Sequence, residues 1–464
     1  MYATVSLYTW AQAICTAVAP NRLTTYVIMT ANPGSRKYPD RRMMTPTGLL
    51  GVSDALERLL GEFRPLESEV IPVDEALGRV LAEPLIAPLD LPPFANSSMD
   101  GYAVRTADVA GAGPGSPVTL NVAVDIPAGA RPPSVTLRPG LAARIMTGAP
   151  LPPGADAVVP IEATDDAGGA SGAPPPLEVR ILHPAPAGAH VRQPGEDIRA
   201  GDTALPAGRA IRAVEVGLLA ALGRREVAVV RQPRVAILST GDELAGADQP
   251  LGPGQIRDSN SYALAALITT YGGRPLRLGT APDRLKAVRA RLREAVAAGA
   301  DLIVSSAGVS VGAYDVVRQA VEAEGQIGFW RIRMRPGKPM AFGRVKSVPF
   351  LGLPGNPVSA VVTFEIFARP AILKMGGRAA LKKPQVPVRL SEEVDSDGRE
   401  SYLRALVERD GGQYVARLTG GQGSNLITSL TRANALVIVP AGVTHVAAGE
   451  TLTAWMLDWP EHLI

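Results

Sequence analysis

Four acidic residues, Asp242, Glu243, Asp283 and Asp315, each fall at or just after the end of a short apolar run. Asp315 closes a loop of small residues that runs from Ser305 and Ser306 through Gly308, Ser310 and Gly312. That loop follows Asp301-Leu302-Ile303-Val304 and precedes a helical pattern from Val316 to Glu324. Strand, small-residue loop and helix is how an α/β fold turns backbone N–H groups towards an anion. A terminal carboxylate is wrong for a bare phosphate cradle and right for a metal carried with a phosphate. Carboxylates beside oxygen-rich loops suit Mg2+, which is usually shared with substrate phosphates. Further on, Arg331, Arg333 and Arg335 alternate with Ile332 and Met334, and Lys338 follows. Such a cationic stripe suits an oxyanion. A second glycine turn, Pro354-Gly355-Asn356-Pro357, comes after another apolar run. Together these residues describe a site for a phosphorylated or nucleotide-linked substrate and a second anion, with metal-assisted transfer or hydrolysis at phosphorus.

Each piece also has a plainer reading. Asp242 and Glu243 could balance the dipole of a helix N-terminus, and Asp283, after Pro282, reads more simply as a cap. The arginine stripe could be the wet face of an edge strand. Arg404 and Ser424 look like surface residues when read alone. Asp315 is the hardest to dismiss, because it closes a loop with little other use.

The elements that must position these groups follow from periodicity. Val52, Ala55, Leu56, Leu59, Leu60 and Phe63 recur at helical spacing, with Ser53 or Asp54 as the expected cap. A short helix is expected from Asp74 to Ala82. The segment Leu91 to Val104 carries two prolines and an Asp100-Gly101 turn signal. From 103 to about 190 the pattern is all-β, and it includes Arg144-Ile145-Met146-Thr147-Gly148-Ala149. A helix from about Ala213 to Leu222 closes at Gly223. From Pro233 strands and helices alternate, which implies an open, mostly parallel sheet with ligands beyond the carboxyl ends of its strands. After Lys382-Lys383-Pro384 the pattern returns to β, read as a small barrel or sandwich carrying Arg404 and a loop around Ser424.

Length and composition bound the class. With 464 residues the chain is too long for one core, and roughly three or four domains are expected. A net charge of +3 without a basic tract argues against a nucleic-acid partner. No apolar run of about 18 residues suggests a membrane span. The single cysteine, Cys15, rules out an internal disulfide and fits a reducing, cytoplasmic setting. The four histidines lie outside the glycine loops, against a histidine triad or zinc site.

The motifs occur in a telling order: Pro93-Phe94-Ala95-Asn96-Ser97-Ser98-Met99-Asp100-Gly101-Tyr102-Ala103, the Arg144–Ala149 block, Gly195-Glu196-Asp197, Ser239-Thr240-Gly241-Asp242-Glu243-Leu244, the Ser305–Asp315 loop, Pro336-Gly337-Lys338, and Gly352-Leu353-Pro354-Gly355-Asn356-Pro357-Val358-Ser359. As a set they resemble the MoeA and gephyrin E-domain family of molybdopterin molybdenumtransferases, from about residue 48 to the end. The resemblance implies insertion of molybdate into adenylylated molybdopterin with Mg2+ and release of AMP. It also implies a homodimer with a composite active site, in which the partner's β domain supplies the Asp100 and Thr147 motifs.

By the same resemblance, Asp242, Glu243, Asp283 and Asp315 surround metal and pterin nucleotide, with Asp242, Glu243 and Asp315 as metal ligands. Arg404 and Ser424 bind molybdate, Asp197 is the acid of the Gly-Glu-Asp motif, and Pro354 and Pro357 shape the floor. A MogA-type adenylyltransferase and molybdoenzymes are the expected partners. Arg331 and Arg335 stand where bacterial relatives often have lysines, and Ala307 where glycine is common.

The expected architecture is multidomain α/β plus β. It comprises a disordered extension (1–43), a helical linking domain (44–94 with 191–230), an inserted β domain (95–190), a MogA-like α/β domain (231–383) and a C-terminal β-barrel (384–464). The alternatives are the related adenylyltransferase, whose loop normally reads Thr-Gly-Gly-Thr-Gly, and a gephyrin-like scaffold.

Overall fold

The structure is a computed structural model and describes residues 48–459 except 168–173 and 307–315. The extension expected at 1–43 therefore lies outside the described residues, as do Gly308, Ser310, Gly312 and Asp315.

The alternating region forms a seven-stranded sheet in the order Leu49–Leu50, Gly325–Ile332, Pro339–Val345, Val348–Leu353, Leu302–Ser306, Arg234–Thr240, Arg274–Ala281. The last four run parallel. Their carboxyl ends therefore share one edge, and the acidic and glycine turns leave from it. Gly325–Ile332, Pro339–Val345 and Val348–Leu353 pair antiparallel. Helices Ser259–Thr270, Leu285–Ala297 and Val316–Glu324 occupy the spans that periodicity marks. The two faces of the sheet carry separate cores, one around Ile237, Leu302 and Leu351 and the other around Leu238, Ile303 and Phe350. That is the alternation of a sheet buried on both sides.

The first helix, Val52–Gly61, buries Val52, Ala55 and Leu59. It joins the core of the α/β sheet rather than a unit of its own, and Leu49–Leu50 extends that sheet beside Arg331 and Ile332. Gly51, not Ser53 or Asp54, takes the N-cap position, without a side-chain bond. The helix expected at Asp74–Ala82 is only a 3-10 turn at Val73–Glu75. Val80 and Leu81 instead bridge to Ala210 and Val229, a distant pairing that overrides the local helical pattern. The linking segments carry one helix, Ala213–Ala221, and paired strands Ser68–Pro72 with Glu226–Val230 and Leu85–Ile86 with Thr203–Leu205. They share a core around Ile71, Leu81, Leu219 and Val229. Between them lies a five-stranded sheet built from Gly101–Val104, Val118–Ile126, Leu141–Ile145, Ala157–Pro160 and Glu178–Ile181.

At the C-terminus, Gln385–Leu390, Glu400–Asp410, Gln413–Leu418, Ala435–Val439 and Thr451–Met456 close into a barrel, because Glu400–Asp410 pairs with both Gln413–Leu418 and Ala435–Val439. Met334–Arg335 adds to this barrel in parallel, with Arg335 opposite Ser401. The arginine stripe thus leaves the α/β sheet and enters the barrel. No helix among the described residues is long and apolar enough to cross a membrane.

Candidate functional site

The shared strand edge gathers the acidic group. Asp242 and Glu243 follow the strand Arg234–Thr240, and Asp283 follows Arg274–Ala281. None of the three opens a helix. Asp242 and Glu243 lead into the short strand Leu244–Ala245, which pairs with Ile256–Arg257. The N-cap of helix Leu285–Ala297 is Arg284, so Asp283 is not the cap either. Instead the Asp283 backbone N–H donates to Asp242 Oδ1 at 3.2 Å. Burial raises the Asp283 carboxyl above its ordinary range, and Asp242 and Glu243 raise it further. Three carboxylates gathered at one edge, with no cation paired to them among the described residues, form a place where a cation is favourable.

These residues crowd beside a cleft of about 730 Å³ lined by Glu243, Pro354, Gly355, Asn356 and Pro357 of the expected set. Residues that the motif reading did not single out for binding also line it, among them Arg257, Asn260, Ser359 and Asn425. Ser306 lines the cleft, whereas Ser305 is fully buried within its strand. The floor is the turn Pro354–Pro357, with Asn356 as N-cap and Pro357 in the first turn of helix Pro357–Thr363. Pro357 fits there because a first-turn N–H has no intrahelical partner. Gly337 forms part of the wall at φ +108. A Cβ there would collide with Thr363 Oγ1, so the position needs glycine for both conformation and space.

The cationic side spans two domains. Arg331, Arg333, Arg335 and Lys338 are exposed, with Ile332 and Met334 buried between them, as period-two alternation requires. Arg335 lies 4.0 Å from Asp397. Asp397 is held more closely by Arg399, which depresses its carboxyl to about 2. Arg404 is not a surface residue: it is only 1% exposed. Its Nε donates to Ser429 Oγ at 3.0 Å, and its Nη2 to the carbonyls of Gly421 and Gly423 at 3.3 and 3.1 Å. The Gln422 side chain accepts from the Arg404 backbone N–H and donates to its carbonyl, much as a neighbouring strand would. No carboxylate among the described residues pairs with Arg404, and the charge acting on it is the like charge of Arg335. Burial first, and then Arg335, push it down to about 10, so it stays cationic at neutral pH. A buried cation without a counter-ion is costly, and an oxyanion would remove that cost.

Ser424 connects this side to the cleft floor. Its Oγ accepts from Asn356 Nδ2 at 2.8 Å, and its carbonyl accepts from the Val358 N–H at 3.0 Å. Asp100, Thr147 and Asp197 do not line the cleft of their own chain. Asp100 Oδ1 accepts from both the N–H and the hydroxyl of Thr147 at 2.7 Å. Those bonds hold the Asp100 carboxyl below its usual range. Both residues are exposed, as is Asp197.

Among the described residues, no group of three His, Cys, Asp or Glu side chains converges as a ready metal cage. The crowded Asp242, Glu243 and Asp283 still suit Mg2+, which takes one or two carboxylates and completes its shell with water and phosphate.

Three family descriptions match successive parts of the chain: "MoeA N-terminal region (domain I and II)" over residues 50–223, "Probable molybdopterin binding domain" over 236–374, and "MoeA C-terminal region (domain IV)" over 387–457. The chain is 42% identical over 409 residues to molybdopterin molybdenumtransferase 2 of Mycobacterium tuberculosis, covering 86% of this chain and 98% of that protein. It is 36% identical over 416 residues to the molybdopterin molybdenumtransferase of Haemophilus influenzae, covering 87% and 98%. A crystal structure of a molybdopterin biosynthesis MoeA protein from a Pyrococcus species superposes with a TM-score of 0.74 at 33% identity, covering 89% of this chain and all of that one.

Proposed function

The chain belongs to the MoeA family of molybdopterin molybdenumtransferases, which insert molybdate into molybdopterin, and we propose that its substrate is the adenylylated form, with Mg2+-dependent release of AMP. The observation that carries this reading is Arg404, a buried cation lacking a carboxylate partner and joined through its barrel loop to the floor of an acid-edged cleft. One end of such a site favours a tetrahedral oxyanion and the other a metal–phosphate group.

In this reading Arg404, with Ser424 and the exposed Arg335, binds and orients molybdate by charge-assisted hydrogen bonds. Arg331 and Lys338 extend the positive field. Asp242, Glu243 and Asp315 would hold the metal, and Asp283, its carboxyl raised by burial and then by its acidic neighbours, stands beside Asp242 and Glu243. When bound there, the metal would supply charge neutralisation at the phosphate that links AMP to the pterin. Gly308, Ser310 and Gly312, with the Pro354–Pro357 turn, cradle the pterin nucleotide, while Ser305, buried in its strand, stands behind Ser306 and does not touch it. Asp100 and Thr147 are fixed to each other and lie off the cleft of their own chain, which supports a homodimer in which they complete the partner's site together with Asp197. A cytoplasmic setting, with supply from a MogA-type adenylyltransferase and delivery to molybdoenzymes, completes the proposal.

Chelation tests the metal role. Excess EDTA is expected to stop AMP release from adenylylated molybdopterin, and added Mg2+ to restore it. Undiminished release in EDTA would remove the metal from the reaction.

A further inference from the structure

Asn260 stands in the first turn of helix Ser259–Thr270, whose N-cap Asp258 accepts from the Ser261 N–H. The cap pattern Asp258-Ser259-Asn260 accounts for the helix start and assigns Asn260 no further task. In the structure Asn260 lines the cleft, and its Nδ2 makes two bonds of 2.7 Å, to Ser306 Oγ and to the Gly355 carbonyl. A carbonyl can only accept, so the amide nitrogen must face Gly355, and the orientation of the side chain is set by chemistry.

Both acceptors sit at strategic points. Ser306 ends the strand Leu302–Ser306 and is the last residue before 307–315. Gly355 lies in the floor turn, whose next residue, Asn356, donates to Ser424 in the barrel loop at 2.8 Å. Bonds therefore run without interruption from Ser306 through Asn260 and the floor turn to Ser424. Only a planar amide offers two donors on one nitrogen at this reach. Alanine offers none, and an aspartate would set oxygen against the Gly355 carbonyl.

We propose that Asn260 is a positioning residue for the transfer reaction. It fixes the strand end at Ser306 against the floor turn that meets the barrel loop, and so sets the nucleotide half of the cleft in register with the oxyanion half. The inference rests on the function proposed above. Displacing a reacting group by about 1 Å costs on the order of 10²-fold in rate, so a device that holds two halves in register acts on kcat.

Asn260→Ala is expected to lower kcat by about 10- to 100-fold, with KM for the adenylylated substrate changed less than about threefold. Ser306→Ala should do part of the same. The double variant should be no slower than Asn260→Ala, because residues acting as one unit are not additive. Ser306→Thr, which keeps the hydroxyl, should restore the rate. A second measurement does not depend on turnover: amide hydrogen exchange should quicken in peptides covering 302–306 and 353–358 in Asn260→Ala. Single variants within about twofold of an active wild type, or multiplicative effects in the double variant, would overturn the proposal. So would unchanged exchange at both segments. An inactive wild type would sink the assigned reaction, and exchange alone would then decide the role of Asn260.

Discussion

Arg404→Met is expected to remove oxyanion binding and to lower turnover by about 10²- to 10³-fold, the usual cost of losing one donor to a developing or bound oxyanion. Methionine is close in volume to the arginine stem, so the barrel keeps its packing around Leu403 and Ala405. Two effects on stability oppose each other. Removing a buried cation with no carboxylate partner is favourable. Leaving Ser429 and the Gly421 and Gly423 carbonyls without their donor costs about 1–3 kcal/mol for each group that water cannot reach. The variant should therefore fold, and the effect should appear in ligand linkage. At molybdate about a hundredfold above its dissociation constant, the wild type should gain about 2.7 kcal/mol of stability, and Arg404→Met none. Thermal unfolding with and without molybdate measures this directly. An equal shift in both proteins would show that the oxyanion binds elsewhere.

Glu365→Gln is expected to cause the largest loss of stability. Glu365 is 2% exposed and sits in a π-helical turn, Phe364–Ala368. It accepts from the Tyr271 hydroxyl through both oxygens, at 2.8 and 3.0 Å, and pairs with Lys383 at 3.1 Å and Arg369 at 3.4 Å. Lys383 also donates to the Tyr271 hydroxyl at 2.8 Å. The cluster thus fastens the end of helix Ser259–Thr270 and the helical segment around Arg369 to the segment that enters the barrel. Removing the one carboxylate leaves two buried cations facing each other, at a cost of about 3–5 kcal/mol.

The pH dependence of that loss has a definite sign. Burial already lowers the Lys383 ammonium below its ordinary value. A cation whose folded pKa is depressed destabilises the fold at low pH, and the penalty fades as pH rises from the folded towards the unfolded value. Glu365→Gln should therefore regain stability as pH is raised towards 10, whereas Glu365→Gln/Lys383→Met should recover part of the loss at neutral pH. Urea unfolding across that range measures both. A loss below about 1 kcal/mol would mean that water reaches the cluster.

Much of the cleft was legible because a parallel sheet puts every strand's carboxyl end on one side. Once Val235–Leu238, Pro275–Gly279 and Leu302–Val304 are read as strands, Asp242, Asp283 and Ser306 must share an edge, as they do. The helix at Val52 was legible in its apolar stripe, but its cap was not, because Gly51 caps by conformation alone. The segment from Asp74 misled because Val80 and Leu81 bridge to Ala210 and Val229, more than a hundred residues away in sequence. Arg404 was illegible as a buried residue: its surroundings come from a loop whose Gln422 brackets its backbone and whose Gly421 and Gly423 carbonyls accept from its guanidinium. Asn260 was hidden because the Asp258 cap already accounts for the start of its helix, and no periodicity reveals a second pair of acceptors.

The most direct test gives the purified chain adenylylated molybdopterin and Mg2+, then adds molybdate. AMP is expected to appear only with molybdate, one for each molybdenum that becomes bound to the pterin. AMP release without molybdate, or adenylylation of molybdopterin by this chain with Mg-ATP, would contradict the assigned reaction.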